Sequence, residues 1–123
     1  MKIKISDKEK VIQFAIIFSN LNSTFEEVNL YFNTTGLYFQ TTDSSLISMV
    51  ELNIKAEWFD VYEIKVNQVF GINIECFNKI LSCIDKDYTI EIKFKEKSDK
   101  INIILSDEKI IKEYEMNLMD IDT

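Results

Sequence analysis

The stretch "EYEMNLMDID" occupies residues 113–122, and its reading decides the fold. Tyr114, Met116 and Leu118 alternate with Glu113, Glu115 and Asn117, the period-two pattern of a strand with one face buried. We place this last strand from Ile110 to Met119, after a turn at "SDEK". The sequence ends at Thr123, before any loop that could bring another strand beside it. An edge strand with unpaired backbone groups invites a further strand. The expectation is that the chain is a single domain, 1–123, and half of something.

Working back from that strand, "INIIL" (Ile101–Leu105) is its neighbour. Before it, "YTIEIKFK" (Tyr88–Lys95) alternates more cleanly than any other stretch. Between about Ile74 and Ile84 the period changes to that of a helix. Cys76, Phe77, Ile80, Leu81 and Ile84 are read as facing the core, and Glu75, Asn78, Lys79 and Ser82 as facing solvent. Short strands are expected at Trp58–Glu63 and Val66–Gly71, and longer ones at "LYFQT" and "LISMVELNI" (Leu46–Ile54). "TFEEVNLYFN" (Thr24–Asn33) puts Val28, Leu30 and Phe32 on one face, and Gly36 closes a tight turn at "NTTG". A first helix runs from about Asp7 to Leu21, opened by a capping box of Ser6 and Glu9. Val11, Phe14, Ala15, Phe18 and Leu21 form its apolar stripe, which Ile12, Ile16 and Ile17 widen. "KIKI" (Lys2–Ile5) is the first strand.

The order is strand, helix, a meander of strands, helix, three more strands. It predicts an α+β domain, antiparallel sheet with two helices on one face, built as a β-α-β-β-β unit used twice.

Composition narrows the function. The chain has 123 residues, enough for one core. It has no Pro and two Gly, which excludes glycine-rich phosphate loops and flexible Gly/Ser or Pro-rich linkers. It has no His, so Ser–His and Cys–His nucleophiles and imidazole metal sites are impossible. Cys76 and Cys83 are seven apart on a predicted helix, read as two small buried hydrophobes in a reducing compartment. Carboxylates are plentiful, but no pair stands out as catalytic or metal-binding, and no enzyme activity and no cofactor are expected. A net charge of −7 argues against nucleic acid only weakly, because the charge of the contacting face is what matters. The first ten residues hold no signal-peptide core, and a cytosolic or nuclear protein is expected.

Three stretches carry a resemblance. "YEMNLMDID" (Tyr114–Asp122) resembles the end of the first domain of the proliferating cell nuclear antigen family, the eukaryotic-type DNA sliding clamps. "TTDSSLISMVEL" (Thr41–Leu52) and "FNKILSC" (Phe77–Cys83) resemble the same family, at matching spacing. The resemblance implies the DNA-clamp fold. It also implies a domain of a DNA polymerase processivity factor: a closed ring, two domains to a subunit and three subunits, with strands outside and helices lining a pore around duplex DNA. Such a clamp performs no chemistry, and it slides, so its contact with phosphate is weak and blind to sequence.

The resemblance also implies site residues. Lys8, Lys10, Gln13, Asn20, Lys79 and Ser82 would face DNA; the family usually carries more Lys or Arg here, and Lys79 reads equally as an ordinary solvated lysine. Thr42, Leu46 and Ile47 would wall an apolar pocket for partner peptides, although Leu46 and Ile47 could also begin a buried strand. Ile110, Lys112, Tyr114 and Met116 would form the subunit interface, and residues 1–123 would be the family's N-terminal domain, with the connector and second domain absent from this sequence. The implied partners are duplex DNA, DNA polymerase and other carriers of clamp-binding peptides, a clamp loader, and a second copy or partner clamp domain joined through the last strand. The implied location is the nucleus or, given a Lys/Ile/Asn-rich bias that suggests an AT-rich genome, a viral replication site. The alternatives are a clamp-fold accessory or interaction protein that does not encircle DNA, and a carboxylate-metal nuclease, for which no motif is found.

Overall fold

The computed structural model describes residues 1–42, 49–85 and 87–121. Nine strands and two helices are found among them: β1 (Lys2–Ile5), α1 (Lys8–Asn22), β2 (Glu27–Asn33), β3 (Gly36–Thr42), β4 (Met49–Lys55), β5 (Val61–Glu63), β6 (Gln68–Asn73), α2 (Ile74–Leu81), β7 (Thr89–Lys93), β8 (Lys100–Ser106) and β9 (Ile111–Asn117). A single 3₁₀ turn, Ala56–Trp58, joins β4 to β5.

The strands form two antiparallel sheets, ordered β5-β1-β7-β8-β9 and β4-β3-β2-β6. The expected β-α-β-β-β unit occurs twice, as β1-α1-β2-β3-β4 and β6-α2-β7-β8-β9. The two units interlock. β1 pairs with β7, so Ile3 lies opposite Ile92, and β6 pairs with β2, so Phe70 lies opposite Leu30. Each unit lends its first strand to the other's meander. Neither can close its sheet alone, which is why the chain folds around one core.

That core is filled by the inward residues of both sheets and the inner sides of both helices. Phe14 and Phe18 of α1 meet Phe77 of α2, with Phe18 and Phe77 edge to face at 4.7 Å between ring centroids. Phe70 packs on Phe94 at 4.7 Å. Alternation holds where it was expected: Val28, Leu30 and Phe32 are buried, as are Ile101, Ile103 and Leu105.

Several local expectations are corrected. The cap of α1 is Asp7, whose carboxylate accepts from the N–H of Glu9 and of Lys10 at 3.0 and 3.1 Å. Ser6 is not the cap, because its own N–H is drawn to Asp60 at 2.6 Å. Such a cap contributes about 1 kcal/mol. Ile12 and Ile16 leave the stripe and stand 56% and 52% exposed. One side of α1 is enough to cover the sheets, and these two point away from them. Trp58 belongs to the 3₁₀ turn rather than to a strand, α2 ends at Leu81, and Cys76 and Cys83, expected to be buried, are both exposed because they lie on the side of the α2 segment turned away from the sheets.

The last described residues turn back. Met119 N–H donates to Gly71 O at 2.8 Å, and the Asn29 amide donates to Ile121 O at 3.1 Å. A Cβ at Gly71 would collide with the Met119 carbonyl. Glycine is needed here to let a second backbone come this close. The segment after β9 therefore crosses the β6 side of the four-stranded sheet, on the face opposite the core.

Candidate functional site

Two kinds of surface stand out: the outer face of the helix pair, and the open edges of the sheets. The helices run antiparallel: Lys8, at the start of α1, meets Asp87, beyond the end of α2, while Phe18, near the end of α1, packs on Phe77. Between them is a shallow groove of about 320 Å³, lined by Ile12, Ala15, Ile16, Leu81 and Ile84. On the other flank of α1 is a wider depression of about 810 Å³, walled by Ile16, Ile17, Ile54 and Trp58. Ile12 and Ile16 form a ridge, one turn apart, beside the groove.

The lysines expected on this face each have a partner. Lys8 is paired with Asp87 at 2.5 Å, and the hydrogen bond to that carboxylate, with its charge, raises the lysine's pKa. Lys79 pairs with Glu75 at 3.4 Å along its own helix. Lys10 is bent back, donating to Trp58 O at 2.8 Å with its ammonium 5.3 Å from the centre of that indole ring. Gln13 and Asn20 are exposed. Ser82 is exposed too, and its hydroxyl donates to Lys79 O at 2.6 Å. Lys79 and Ser82 thus sit one turn apart at the end of α2, and Lys8 and Lys10 lie in the first turn of α1.

On the sheet side, β9 is one edge of the five-stranded sheet and β4 one edge of the four-stranded sheet. Leu118 N–H donates to Asp99 O, which puts the even residues of β9 in hydrogen-bonded pairs with β8. The N–H and C=O groups of Ile111, Glu113, Glu115 and Asn117 therefore point outward. The same argument from Ala56 N–H to Thr35 O leaves those of Met49, Glu51, Asn53 and Lys55 outward on β4. Neither set has a strand partner among the described residues. The β6 edge, by contrast, is partly covered by Met119.

The four residues expected at the interface differ in what they offer. Ile110 is exposed at the β8–β9 turn, which the Asp107 carboxylate holds by accepting from Lys109 and Ile110 N–H at 2.7 and 2.8 Å. Those two backbone donors lower the pKa of Asp107. Lys112 is half-buried, with its ammonium 5.0 Å from the centre of the Tyr88 ring and 3.2 Å from Cys83 O. Its pKa is raised, chiefly by its hydrogen bond with Tyr88. The Tyr114 hydroxyl shares a hydrogen bond with the Cys83 thiol, the main cause of its own raised pKa. Met116 is buried at 3% exposure, and its backbone groups, those of an even residue, pair with β8. Ile111, at 71%, is the exposed apolar residue that the sequence reading passed over. It lies on the opposite side of the strand from Lys112, Tyr114 and Met116.

Of the expected peptide pocket, Thr42 is exposed at the end of β3, opposite Met49. Leu46 and Ile47 lie outside the described residues.

The family model for the N-terminal domain of proliferating cell nuclear antigen matches residues 6–123. The fold is similar to a chain in the crystal structure of the PCNA2-PCNA3 complex from Sulfolobus tokodaii, with a TM-score of 0.90 at 21% identity. That match covers 100% of this chain and 48% of the other, so the chain spans about half of that protein's length.

Proposed function

Because this chain belongs to the proliferating cell nuclear antigen family, matching its N-terminal domain, we propose that it is a domain of a DNA polymerase processivity factor. It helps form a ring around duplex DNA and docks replication and repair proteins, and it performs no chemistry. It acts in the nucleus or at a viral replication site. Its partners are duplex DNA, DNA polymerase and other proteins with clamp-binding peptides, and a clamp loader.

The observation that carries this reading is the pair of open seven-residue edges, β9 and β4. Each presents four residues with outward backbone groups, so an outer strand can add to either. Charge disfavours one register between β9 of one domain and an antiparallel β4-type edge of the next. With Glu113 opposite Lys55, the pair attracts, and Glu115 falls opposite Asn53. Sliding one step sets Glu115 against Glu51, and like charges directly opposite are destabilising. Head-to-tail pairing of this kind closes into a ring when the rotation per domain divides a full turn. Ile110, Lys112, Tyr114 and Met116 belong to this junction, Lys79, Ser82, Gln13, Asn20, Lys8 and Lys10 to the pore side, and Thr42, Leu46 and Ile47 to the peptide pocket.

The second reading, a clamp-fold interaction protein that does not encircle DNA, is favoured by one observation. Every described lysine of the helical face is already paired.

The test begins with light scattering over a concentration series. A discrete oligomer that is lost in Glu113→Pro supports edge pairing. Proline is tolerated there because the N–H it removes faces solvent. Retention on circular duplex but not on linear duplex of the same sequence supports encirclement. Equal retention on both, or on neither, favours the second reading.

A further inference from the structure

The β2–β3 hairpin repeats one motif. Leu30-Tyr31-Phe32 and Leu37-Tyr38-Phe39 each set a tyrosine between two buried residues, so alternation turns both rings to the face opposite the core. The turn closed by Gly36 fixes the register, and Tyr31 stands directly opposite Tyr38. Their ring centroids are 6.4 Å apart, with the planes tilted by 50°. Such a pair stabilises a hairpin by itself. What a hairpin does not need is the carboxylate beside it. β4 lays Glu51 opposite Gln40, which follows Tyr38 by two residues on the same face. The Tyr38 hydroxyl donates to Gln40 Oε1 at 3.0 Å, and Glu51 Oε2 is a second acceptor at 3.4 Å. Gln40 is held in that orientation by Met49, whose sulfur accepts from its Nε2 at 2.9 Å. Glu51 is exposed, and it takes part in none of the ion pairs among the described residues.

We infer that Tyr31, Tyr38 and Glu51 form a receptor for one arginine side chain presented by a partner protein. Charge selects a cation. Among the described residues on this face of β2, β3, β4 and β6, Glu27 and Glu51 are acidic, and the one base is Lys55, at the far end of β4 beside Gly36. The Tyr38 hydroxyl has its pKa raised, first by loss of water and then by the Glu51 carboxylate, so the spot is partly dry and negative. An aromatic face attracts a cation within about 6 Å of its centroid, and more strongly where water is displaced. Two rings 6.4 Å apart are both within that reach of a single group. Geometry selects guanidinium over ammonium. A guanidinium is planar and weakly hydrated, so it can lie along a tyrosine face, and its fork of donors matches a carboxylate such as that of Glu51. The site lies on the face opposite the core and its helices. It stands whether or not the chain encircles DNA, and its occupant does not compete with duplex.

The probe is the peptide acetyl-Gly-Arg-Gly-amide, titrated into the isotope-labelled chain and followed by nuclear magnetic resonance. Its citrulline counterpart, of the same shape without the charge, and its lysine counterpart are the controls. The expected result is a saturable shift centred on Tyr31, Tyr38 and Glu51, with the arginine δ protons moved upfield by the ring currents. Lysine should bind about threefold more weakly, and citrulline at least about tenfold more weakly. Tyr31→Thr with Tyr38→Thr, which keeps strand-forming residues, should weaken arginine binding by about tenfold. Glu51→Gln, at an exposed position, should weaken it by about threefold. Tyr31→Phe with Tyr38→Phe keeps both rings and should stay within about twofold of the native chain. Circular dichroism checks the fold of each variant, and Glu51→Gln with the upfield shift decides the matter if the threonine pair does not fold. Shifts spread over the acidic surface without a focus at the tyrosines would reduce the effect to the net charge of −7 and overturn the proposal. So would citrulline binding as tightly as arginine, threonine and glutamine variants that bind like the native chain, or no saturable binding at all. Lysine binding as tightly as arginine overturns the assignment to guanidinium.

Discussion

The helical face and the β9 edge are both open to solvent, and they are made ready for partners by opposite means. A helix satisfies its backbone internally, so α1 and α2 can offer a partner only side chains. What those side chains offer is an isoleucine ridge and lysines already matched by Asp87 and Glu75. The edge offers backbone first: outward N–H and C=O groups at Ile111, Glu113, Glu115 and Asn117. An edge can therefore keep its role through many substitutions, whereas a helical face changes role with two or three. Contact with phosphate depends on unpaired cations.

The largest expected effect comes from removing the support beneath the helical face. Phe18→Ala deletes a fully buried ring that packs on Phe14 and Phe77. It should lower stability by about 3–5 kcal/mol, measured by denaturant unfolding. Ile16→Ala, two residues away on the exposed side, should cost well under about 1 kcal/mol. Equal costs would mean that the two sides of α1 do not differ as described.

A smaller effect is expected where the chain crosses back over the sheet. Gly71→Ala sets a methyl against the Met119 carbonyl. The clash should cost about 1–3 kcal/mol, or be relieved by release of residues 118–121. Hydrogen exchange at the Met119 amide, which donates to Gly71, separates the two outcomes. Protection and stability both unchanged from wild type would show that the Met119 carbonyl does not press on Gly71.

The smallest effect is electrostatic and touches only the edge. Asp107 has its pKa lowered by the Lys109 and Ile110 N–H groups. A carboxyl whose folded pKa is depressed adds stability above its unfolded value, and that stability is lost as pH falls through the folded pKa. Acidification below the ordinary carboxylate range should thus loosen the β8–β9 turn ahead of the helical face. Exchange at the Ile110 amide against pH reads this, and Asp107→Asn should flatten the profile. The same profile in wild type and variant would remove Asp107 from the account.

Much of the fold was legible in the chain because alternation is a local signal. "YTIEIKFK" and "EYEMNLMDID" each announce a strand and its buried face, and the order of helices and strands announces the doubled unit. The cap of α1 was misplaced by one residue because Ser6 and Asp7 are both good caps by type. The choice fell to Asp60, fifty-four residues away from Ser6. The site was less legible. "KVIQFAIIF" says that α1 is apolar on nearly all sides, but not which of its sides the sheets will cover.

By itself the sequence determined the class of the domain, its two helices, the alternation of its main strands, the absence of imidazole chemistry and the family. The first four rest on residue type and near-neighbour spacing, and the family on the resemblance of whole stretches such as "YEMNLMDID". Only the tertiary structure decided that β1 crosses to β7 and β6 to β2, that Ile12 and Ile16 stand outside, and that Lys8 is spent on Asp87. Each depends on which distant segments come together. That is decided by how the two interlocked units share one core, and no local pattern encodes it.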